Sequence, residues 1–203
     1  MKIEKIISYL FHPVLFSTIS AILYFTIQPQ YLPKPFEYKV LLVVFVSTYV
    51  IPILFLFILK QRKSIDDFHL NTTQERKIPI LFFITISLLL SYRLFEIKIV
   101  SLLSYFFFGS AFSMLIVFIL LFSKLKVSLH TLSIGNLIGF IIIMSFHYKI
   151  RLLLLLSFLF IIFGVIAYAR LKLKAHNNIE IYLGLFFGLL SQLLVYYITS
   201  FIC

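Results

Sequence analysis

Seven apolar segments, separated by short polar stretches, cover most of the chain. They are Ile6–Ile27, Val40–Leu59, Ile78–Tyr92, Ile99–Phe122, Val127–Phe146, Leu152–Tyr168 and Ile181–Ile202. A helix needs about 20 apolar residues to cross a bilayer, whereas the strands of a membrane barrel alternate polar and apolar residues. The pattern therefore predicts an all-α fold, a polytopic transmembrane helical bundle of six to seven spans in a single membrane domain, residues 1–203.

Three local features refine the predicted spans. The segment Ile78–Tyr92 is short and is followed by charged residues, so it can form a tight helical hairpin with the next segment. Pro13 and Pro52 lie inside segments, where proline removes a backbone donor and kinks a helix. The pairs Gly135-x3-Gly139 and Gly184-x3-Gly188 allow helices to approach closely, and we favour contacts within the chain over a dimer face.

Composition agrees with a membrane protein. The chain is 62% hydrophobic and 12% charged, and its mean hydropathy is +1.11. This excludes a soluble globular domain, a disordered chain and a collagen-like fibre. The net charge of +11 favours anionic lipid headgroups or phosphate-bearing ligands over nucleic acid as partners. Cys203 is the one cysteine, so the sequence predicts no internal disulfide and no cysteine-based metal site. From the apolar segments we expect a multi-pass protein of a bacterial inner (plasma) membrane.

The charges are distributed unequally between the two predicted faces. Seven crossings place the N-terminus and the loops Lys60–Lys77, Lys124–Lys126 and Arg170–Glu180 on one face, with 12 of the 18 Lys and Arg residues. The positive-inside rule makes that face cytoplasmic. A phosphate site on the same face would enrich it in cations as well, so the orientation stays open.

The first candidate group lies at the start of the fifth segment and consists of Lys126, Ser128 and His130. Unpaired N–H groups at a helix N-terminus attract anions. Ser128 can cap the helix or bind a phosphate oxygen, and His130 can transfer a proton near neutral pH. Taken alone, a capping serine followed by an interfacial histidine is the favoured interpretation.

The second candidate group joins the last two segments and contains Arg170, His176 and Glu180. If the last helix begins near His176, Glu180 lies one turn further along on the same face. A carboxylate bound to one imidazole nitrogen makes the other nitrogen the better nucleophile, and the planar guanidinium of Arg170 suits a phosphate. The alternative is a basic interfacial loop, which is the interpretation we favour for Lys172 and Lys174.

The third candidate group lies in the loop before the third segment. Asp66, Asp67 and His69 lack the spacing of known metal-ligand sets, so we favour a solvated loop and predict no metal. Arg76, just before the span, can anchor a headgroup, and the predicted topology puts it on the same face as the other two groups.

Together these residues resemble the signatures of the type-2 phosphatidic acid phosphatase superfamily of membrane lipid phosphatases. Its Lys-x6-Arg-Pro, Pro-Ser-Gly-His and Ser-Arg-x5-His-x3-Asp motifs are similar to three stretches of this chain. These are His69-x6-Arg76 with Pro79 nearby, Val127-Ser128-Leu129-His130, and Ala169-Arg170-x5-His176-x3-Glu180. The chain departs from the pattern at His69, Val127, Leu129 and Glu180. Lys77 or Lys126 can substitute for the missing lysine, although neither occupies the matching position.

The resemblance implies a role for each matching residue. His176 would be the nucleophile that forms a phosphohistidine, and Glu180 would orient it. His130 would protonate the leaving lipid oxygen and then activate water. The remaining residues would hold the phosphoryl oxygens: Arg76, Arg170 and Ser128, with weaker claims for His69 and Lys126. No metal or other cofactor is implied. The substrate would be a lipid phosphate or diphosphate, with phosphatidate-type lipids and polyprenyl diphosphates both open. The resemblance also implies a site facing away from the cytoplasm.

Two other functions remain open at this point. One is a catalytically degenerate relative that binds lipid headgroups or supports a membrane complex, which the altered second motif favours. The other is a small transporter or channel subunit. That class holds charged residues near the bilayer midplane, whereas here they cluster at segment ends. The oligomeric state is not predicted.

Overall fold

The computed structural model describes residues 3–65 and 72–202, with side chains described as far as residue 199. Within these ranges all regular structure is helical, which confirms the all-α prediction. The helices are α1 (Ile3–Leu10), α2 (Pro13–Ile27), α3 (Lys34–Phe45), α4 (Ile51–Gln61), α5 (Thr73–Glu96), α6 (Ser101–Phe122), α7 (Leu129–Tyr148), α8 (Leu153–Lys172) and α9 (Asn178–Ile202). A π turn, Val46–Val50, joins α3 to α4, and a 3-10 turn, Lys98–Val100, precedes α6.

Six continuous helical segments are long and apolar enough to cross a membrane. They are Lys34–Gln61, Thr73–Glu96, Lys98–Phe122, Leu129–Tyr148, Leu153–Lys172 and Asn178–Thr199. The pair α1 and α2, bent by 51° at its break, brings the count to seven if it is one span. The described part of the chain therefore agrees with the predicted six to seven spans.

Pro13 and Pro52 lie where the helices deviate from regular α geometry, as predicted. Pro13 opens α2 directly after the bend that separates it from α1. Pro52 lies in the first turn of α4, and the π turn Val46–Val50 precedes it. Proline lacks a backbone donor and its ring collides with the carbonyl of the preceding turn, so the helix adjusts on its N-terminal side.

Helices α5 and α6 form the predicted hairpin, but α5 begins earlier than its apolar segment. The Ser91 hydroxyl donates to the Ser104 carbonyl at 3.0 Å, and the Ser104 hydroxyl donates to the Ser91 carbonyl at 2.8 Å. Helix α5 begins at Thr73 rather than Ile78 because Thr72 and Glu75 form a reciprocal capping box. The extra turn makes Arg76 a helical residue instead of a loop residue.

Helix α7 is the central element of the bundle, since every residue from His130 to Ile141 is buried. It packs closely on α9 through glycines. A Cβ on Gly135 would lie 2.6 Å from the Leu185 carbonyl oxygen, and one on Gly188 would meet the Leu132 carbonyl oxygen. The predicted close approach at these glycines is therefore confirmed as a contact within the chain.

The candidate groups meet at one end of the bundle. Ser128 N donates to the Glu180 carbonyl at 3.1 Å, joining the start of α7 to the start of α9. Arg76 on α5 donates to the Val127 carbonyl at 3.0 Å. Arg170 on α8 donates to the Ser8 hydroxyl of α1 at 2.6 Å. Residues that are far apart in the sequence are therefore neighbours at this end.

Candidate functional site

A turn after α8 brings His176 back towards the bundle. Lys174 adopts a left-handed backbone with φ of 51°, and Ala175 N donates to the Arg170 carbonyl at 3.1 Å, a common way to end a helix. Helix α9 then begins with a second reciprocal cap. Glu180 N donates to Asn177 Oδ1 at 2.9 Å, and Asn177 N donates to Glu180 Oε2 at 3.3 Å. These two turns fix His176 and Glu180 relative to each other.

The predicted contact between His176 and Glu180 is present. His176 Nδ1 lies 2.7 Å from Glu180 Oε2 and 3.0 Å from the Lys126 carbonyl oxygen. Both partners accept hydrogen bonds, so we assign the ring proton to Nδ1. The lone pair is then on Nε2, which is the tautomer that a nucleophilic imidazole requires.

Burial keeps His176 in its neutral form. Desolvation, followed by the positive charges of Arg76, Arg170 and Lys126, lowers the pKa of His176 from 6.5 to about 3. These effects outweigh the opposing influence of the hydrogen bond to the Lys126 carbonyl. The imidazole is therefore uncharged, with Nε2 unprotonated, throughout the neutral pH range.

His130 is held by the N-terminal helix α1. Its Nε2 lies 3.1 Å from the Ser8 carbonyl oxygen and 3.4 Å from the Ser8 hydroxyl. The carbonyl can only accept, which assigns a proton to Nε2 and leaves Nδ1 as the atom able to exchange a proton. His12, at the bend between α1 and α2, makes an edge contact with the His130 ring at 5.9 Å between centroids.

Arg170 is a buried cation without a carboxylate partner among the described residues. Only 6% of the residue is exposed, and its one side-chain hydrogen bond goes to the Ser8 hydroxyl. Its Nε–H is buried and has no acceptor in the described part of the chain. A buried donor without an acceptor costs about 1–3 kcal/mol, and a buried charge requires compensation. An anion beside Arg170 would supply both.

One cavity contains most of these side chains and continues into the bundle. His130, His176, Arg76 and Arg170 line its polar end, where His12 also contributes. Apolar side chains from four helices line the rest, namely Phe16, Leu56, Ile80, Phe83, Phe106 and Met114. Along α5 the lining extends from Arg76 to Ser87, which is about 16 Å at 1.5 Å per residue. The cavity thus joins a cationic end to an apolar interior about half a bilayer core deep.

Three other candidate residues, Ser128, Glu180 and Lys126, lie near the cavity but do not line it. Ser128 is fully buried and caps α7, its hydroxyl accepting from Thr131 N at 3.5 Å. Glu180 contacts the cavity through His176. Lys126 contributes its carbonyl to His176, and burial together with the charge of Arg76 lowers the pKa of its amine.

The loop residues Asp66, Asp67 and His69 lie outside the described residues, so the role of His69 in phosphate binding remains a prediction. Among residues 3–65 and 72–202, no three His, Cys, Asp or Glu side chains come together in a group that could hold a metal ion.

Sequence reasoning missed Asn177, Ser8 and His12 at this site. Asn177 carried a recognisable signal, because Asn-x-x-Glu is a capping-box pattern at a helix start. Ser8 carried no signal, since it reaches His130 and Arg170 across 122 and 162 residues of sequence. It turns inwards on α1, whose Ile3, Tyr9 and Leu10 face outwards, so the polar contact is visible only once the helices are packed.

Comparison with known proteins identified no relative of this chain. No family model, curated protein or solved structure matches the chain.

Proposed function

We propose that this protein is a membrane-embedded phosphatase that hydrolyses a lipid phosphate or diphosphate through a phosphohistidine intermediate. The observation that carries the proposal is one cavity with three histidines and two arginines at one end and apolar side chains at the other. Such a cavity suits a ligand with an anionic head and an apolar tail. The resemblance of the sequence to the type-2 phosphatidic acid phosphatases supports the same activity.

His176 is the nucleophile in this proposal. Its Nδ1–H donates to Glu180, and the neutral Nε2 attacks phosphorus. A P–N bond forms while the bond between phosphorus and the lipid oxygen breaks. Water then attacks the phosphohistidine, the P–N bond breaks, and phosphate leaves with His176 restored to its starting form.

His130 moves the proton in both steps. When the anionic lipid phosphate binds, Nδ1 takes up a proton from solvent and then donates it to the leaving lipid oxygen. In the second step Nδ1 recovers a proton from the attacking water. The Ser8 carbonyl holds the opposite nitrogen and so keeps the ring in place. General acid–base catalysis of this kind contributes about 10²–10⁴-fold to a rate.

Arg76 and Arg170 bind the phosphoryl oxygens and stabilise the charge that develops on them. Phosphoryl transfer depends mainly on positioning and electrostatic stabilisation, and guanidinium groups supply both. The unpaired Nε–H of Arg170 supports this role, since a phosphoryl oxygen is an acceptor of the required kind.

The first test is phosphate release by the purified protein from a panel of lipid phosphates, with EDTA present. We expect metal-independent release that His176→Ala abolishes. The exposed Lys172 at the end of α8 provides a control, because Lys172→Ala should leave the rate close to that of the wild type. Full activity in His176→Ala would overturn the mechanism.

The covalent intermediate provides a second test that does not depend on the overall rate. Brief incubation with a 32P-labelled lipid phosphate should label the wild-type protein with acid-labile phosphate. His130→Ala should gain the label more slowly and also lose it more slowly in a chase with unlabelled substrate, because both steps use His130, and His176→Ala should show no label. Labelling of His176→Ala would place the nucleophile elsewhere.

One observation favours a second function, headgroup binding without turnover. Leu129 lines the cavity next to the buried Ser128, at the position where the phosphatase signature has glycine. A leucine side chain there occupies space that a closely approaching phosphate would use. Tight binding of anionic lipid, equal in the wild type and His176→Ala and without any phosphate release, would select this function over the phosphatase.

A further inference from the structure

The apolar part of the cavity contains a polar band formed by Ser87, Ser110, Ser133 and Asn136. These four residues come from α5, α6 and α7, line the same cavity, and are each at least nine-tenths buried. Ser133 and Asn136 lie one and two turns beyond His130 on α7, about 5 and 9 Å along the helix axis. The band therefore begins directly below the phosphate-binding end, at Ser133, and extends as far as Ser87, about 16 Å along α5 from Arg76.

A hydrogen-bonded network holds half of this band in place. Gln192 on α9 donates to Asn136 Oδ1 at 3.1 Å and to the Ser110 hydroxyl at 3.3 Å. Asn136 Nδ2 donates to the Ser113 hydroxyl at 3.0 Å. These hydrogen bonds hold the side chains of Asn136 and Ser110 in place, with their polar atoms on the cavity wall.

The other two members, Ser87 and Ser133, make no hydrogen bond to any described residue. A serine in a helix can instead bond to the carbonyl one turn earlier. Ser20 and Ser157 in this chain do so, at 2.8 and 3.0 Å from the Phe16 and Leu153 carbonyls. The hydroxyls of Ser87 and Ser133 are instead available to a ligand in the cavity.

We propose that the polar band binds hydrogen-bonding groups in the lipid next to its phosphate. This selects lipid phosphates that have ester, amide or hydroxyl groups at that depth over those with a plain hydrocarbon chain. The inference rests on the proposed function, since the phosphate end positions the lipid. A hydrocarbon tail would leave the buried hydroxyls of Ser87 and Ser133 without a partner, and sites built for hydrogen bonding reject ligands that lack the matching group.

The test compares three substrates with the same phosphate and similar chain length: an ester-linked diacylglycerol phosphate, its ether-linked dialkyl analogue and a long-chain alkyl monophosphate. We expect kcat/KM for the ester substrate to exceed that for the alkyl substrate by at least about tenfold, the value of one good hydrogen bond. The ether analogue, which has lost its carbonyls, should lie between them. Equal kcat/KM for all three would overturn the inference.

Two serine variants test whether Ser133 and Ser87 cause the preference for the ester substrate. Ser133→Ala and Ser87→Ala should each lower the ester-to-alkyl ratio of kcat/KM by about threefold or more, and the double variant should bring it close to one. Ser157→Ala, which removes a hydroxyl that bonds within α8, is the matched control and should keep the wild-type ratio. An unchanged ratio in the double variant, with its melting temperature close to that of the wild type, would also overturn the inference.

Binding separates this inference from the proposed function. Non-hydrolysable phosphonate versions of the ester and alkyl lipids are measured against the wild type and His176→Ala in lipid nanodiscs. Stronger binding of the ester phosphonate, without hydrolysis of any phosphate, would retain the polar band and reject the phosphatase. Hydrolysis with equal binding of both phosphonates would retain the phosphatase and reject the band. Failure of both phosphonates to bind would reject both.

Discussion

The two ends of the bundle carry similar side chains in different environments. At one end His130, His176 and Arg170 are buried and line a cavity. At the other end His147 is exposed, with Nδ1 at 2.9 Å from the Tyr196 hydroxyl, and Arg93 is an exposed partner of Glu96. Composition therefore does not distinguish the ends. The difference is that α1 and two loops pack over the first end, so that its cations are buried.

This difference has an energetic consequence. An exposed cation such as Arg93 is solvated and gains little from one more partner. A buried cation such as Arg170 has lost its water and gains strongly from an anion. The same residue type is thus a solvated surface group at one end and an anion site at the other.

Replacing an arginine at each end tests most directly whether burial makes the difference. Arg170→Ala should lower kcat/KM for phosphate release by about 10³-fold, because a buried donor to the developing charge is lost. Arg170→Lys should recover only part of this loss, since a lysine ammonium lacks the planar fork. Arg93→Ala should stay within about twofold of the wild type. Equal losses for Arg170→Ala and Arg93→Ala would show that burial is not what matters.

The carboxylates offer a second pair. Glu180→Gln removes the charge that orients His176 and should lower kcat by about 10²-fold or more, by analogy with the acid of other nucleophile–base–acid sets. Glu96→Gln changes an exposed ion pair and should have no measurable effect on kcat. If Glu180→Gln retained full kcat, His176 would not depend on Glu180 for its tautomer.

Ser8 tests whether α1 is part of the buried end. Ser8→Ala removes the acceptor for Arg170 but keeps the carbonyl that holds His130. We expect KM to rise by about tenfold with a smaller change in kcat, because the loss of one charge-assisted hydrogen bond weakens phosphate binding. Ser157→Ala on α8 is the control. A fall in melting temperature without a change in KM would mean that Ser8 is only structural.

The last prediction concerns the pH dependence of stability. His176 binds a proton below about 3 in the folded protein but near 6.5 when unfolded, so the unfolded state binds more protons between these values. Stability should therefore rise with pH from 3 to 6.5, by up to about 1.4 kcal/mol per pH unit from this group. The melting temperature of His176→Gln in detergent should fall less on acidification than that of the wild type. The exposed His147 provides the control, since His147→Gln should follow the wild-type curve, and identical curves for all three proteins would contradict the burial argument.

The spans and the pairing of His176 with Glu180 were accessible from the sequence because both are local. Apolar length decides whether a helix can cross a membrane. His176 and Glu180 are only four residues apart, and the Asn177–Glu180 cap at the start of α9 brings their side chains together. The start of α5 was less accessible. Its apolar segment begins at Ile78, but a capping box extends the helix to Thr73, so the hydropathy pattern alone misplaced Arg76 in a loop.

The sequence by itself determined an all-α membrane bundle, the position of its charges at segment ends, and the local geometry of the last helix start. The packing of the helices, in contrast, decided that Arg170 is buried with no carboxylate partner among the described residues, that Ser8 bridges it to His130, and that one cavity joins these groups to the polar band. The physical reason is that helix formation follows short-range periodicity, whereas burial and shared cavities depend on contacts between residues more than a hundred positions apart. No pattern within a single segment contains that information.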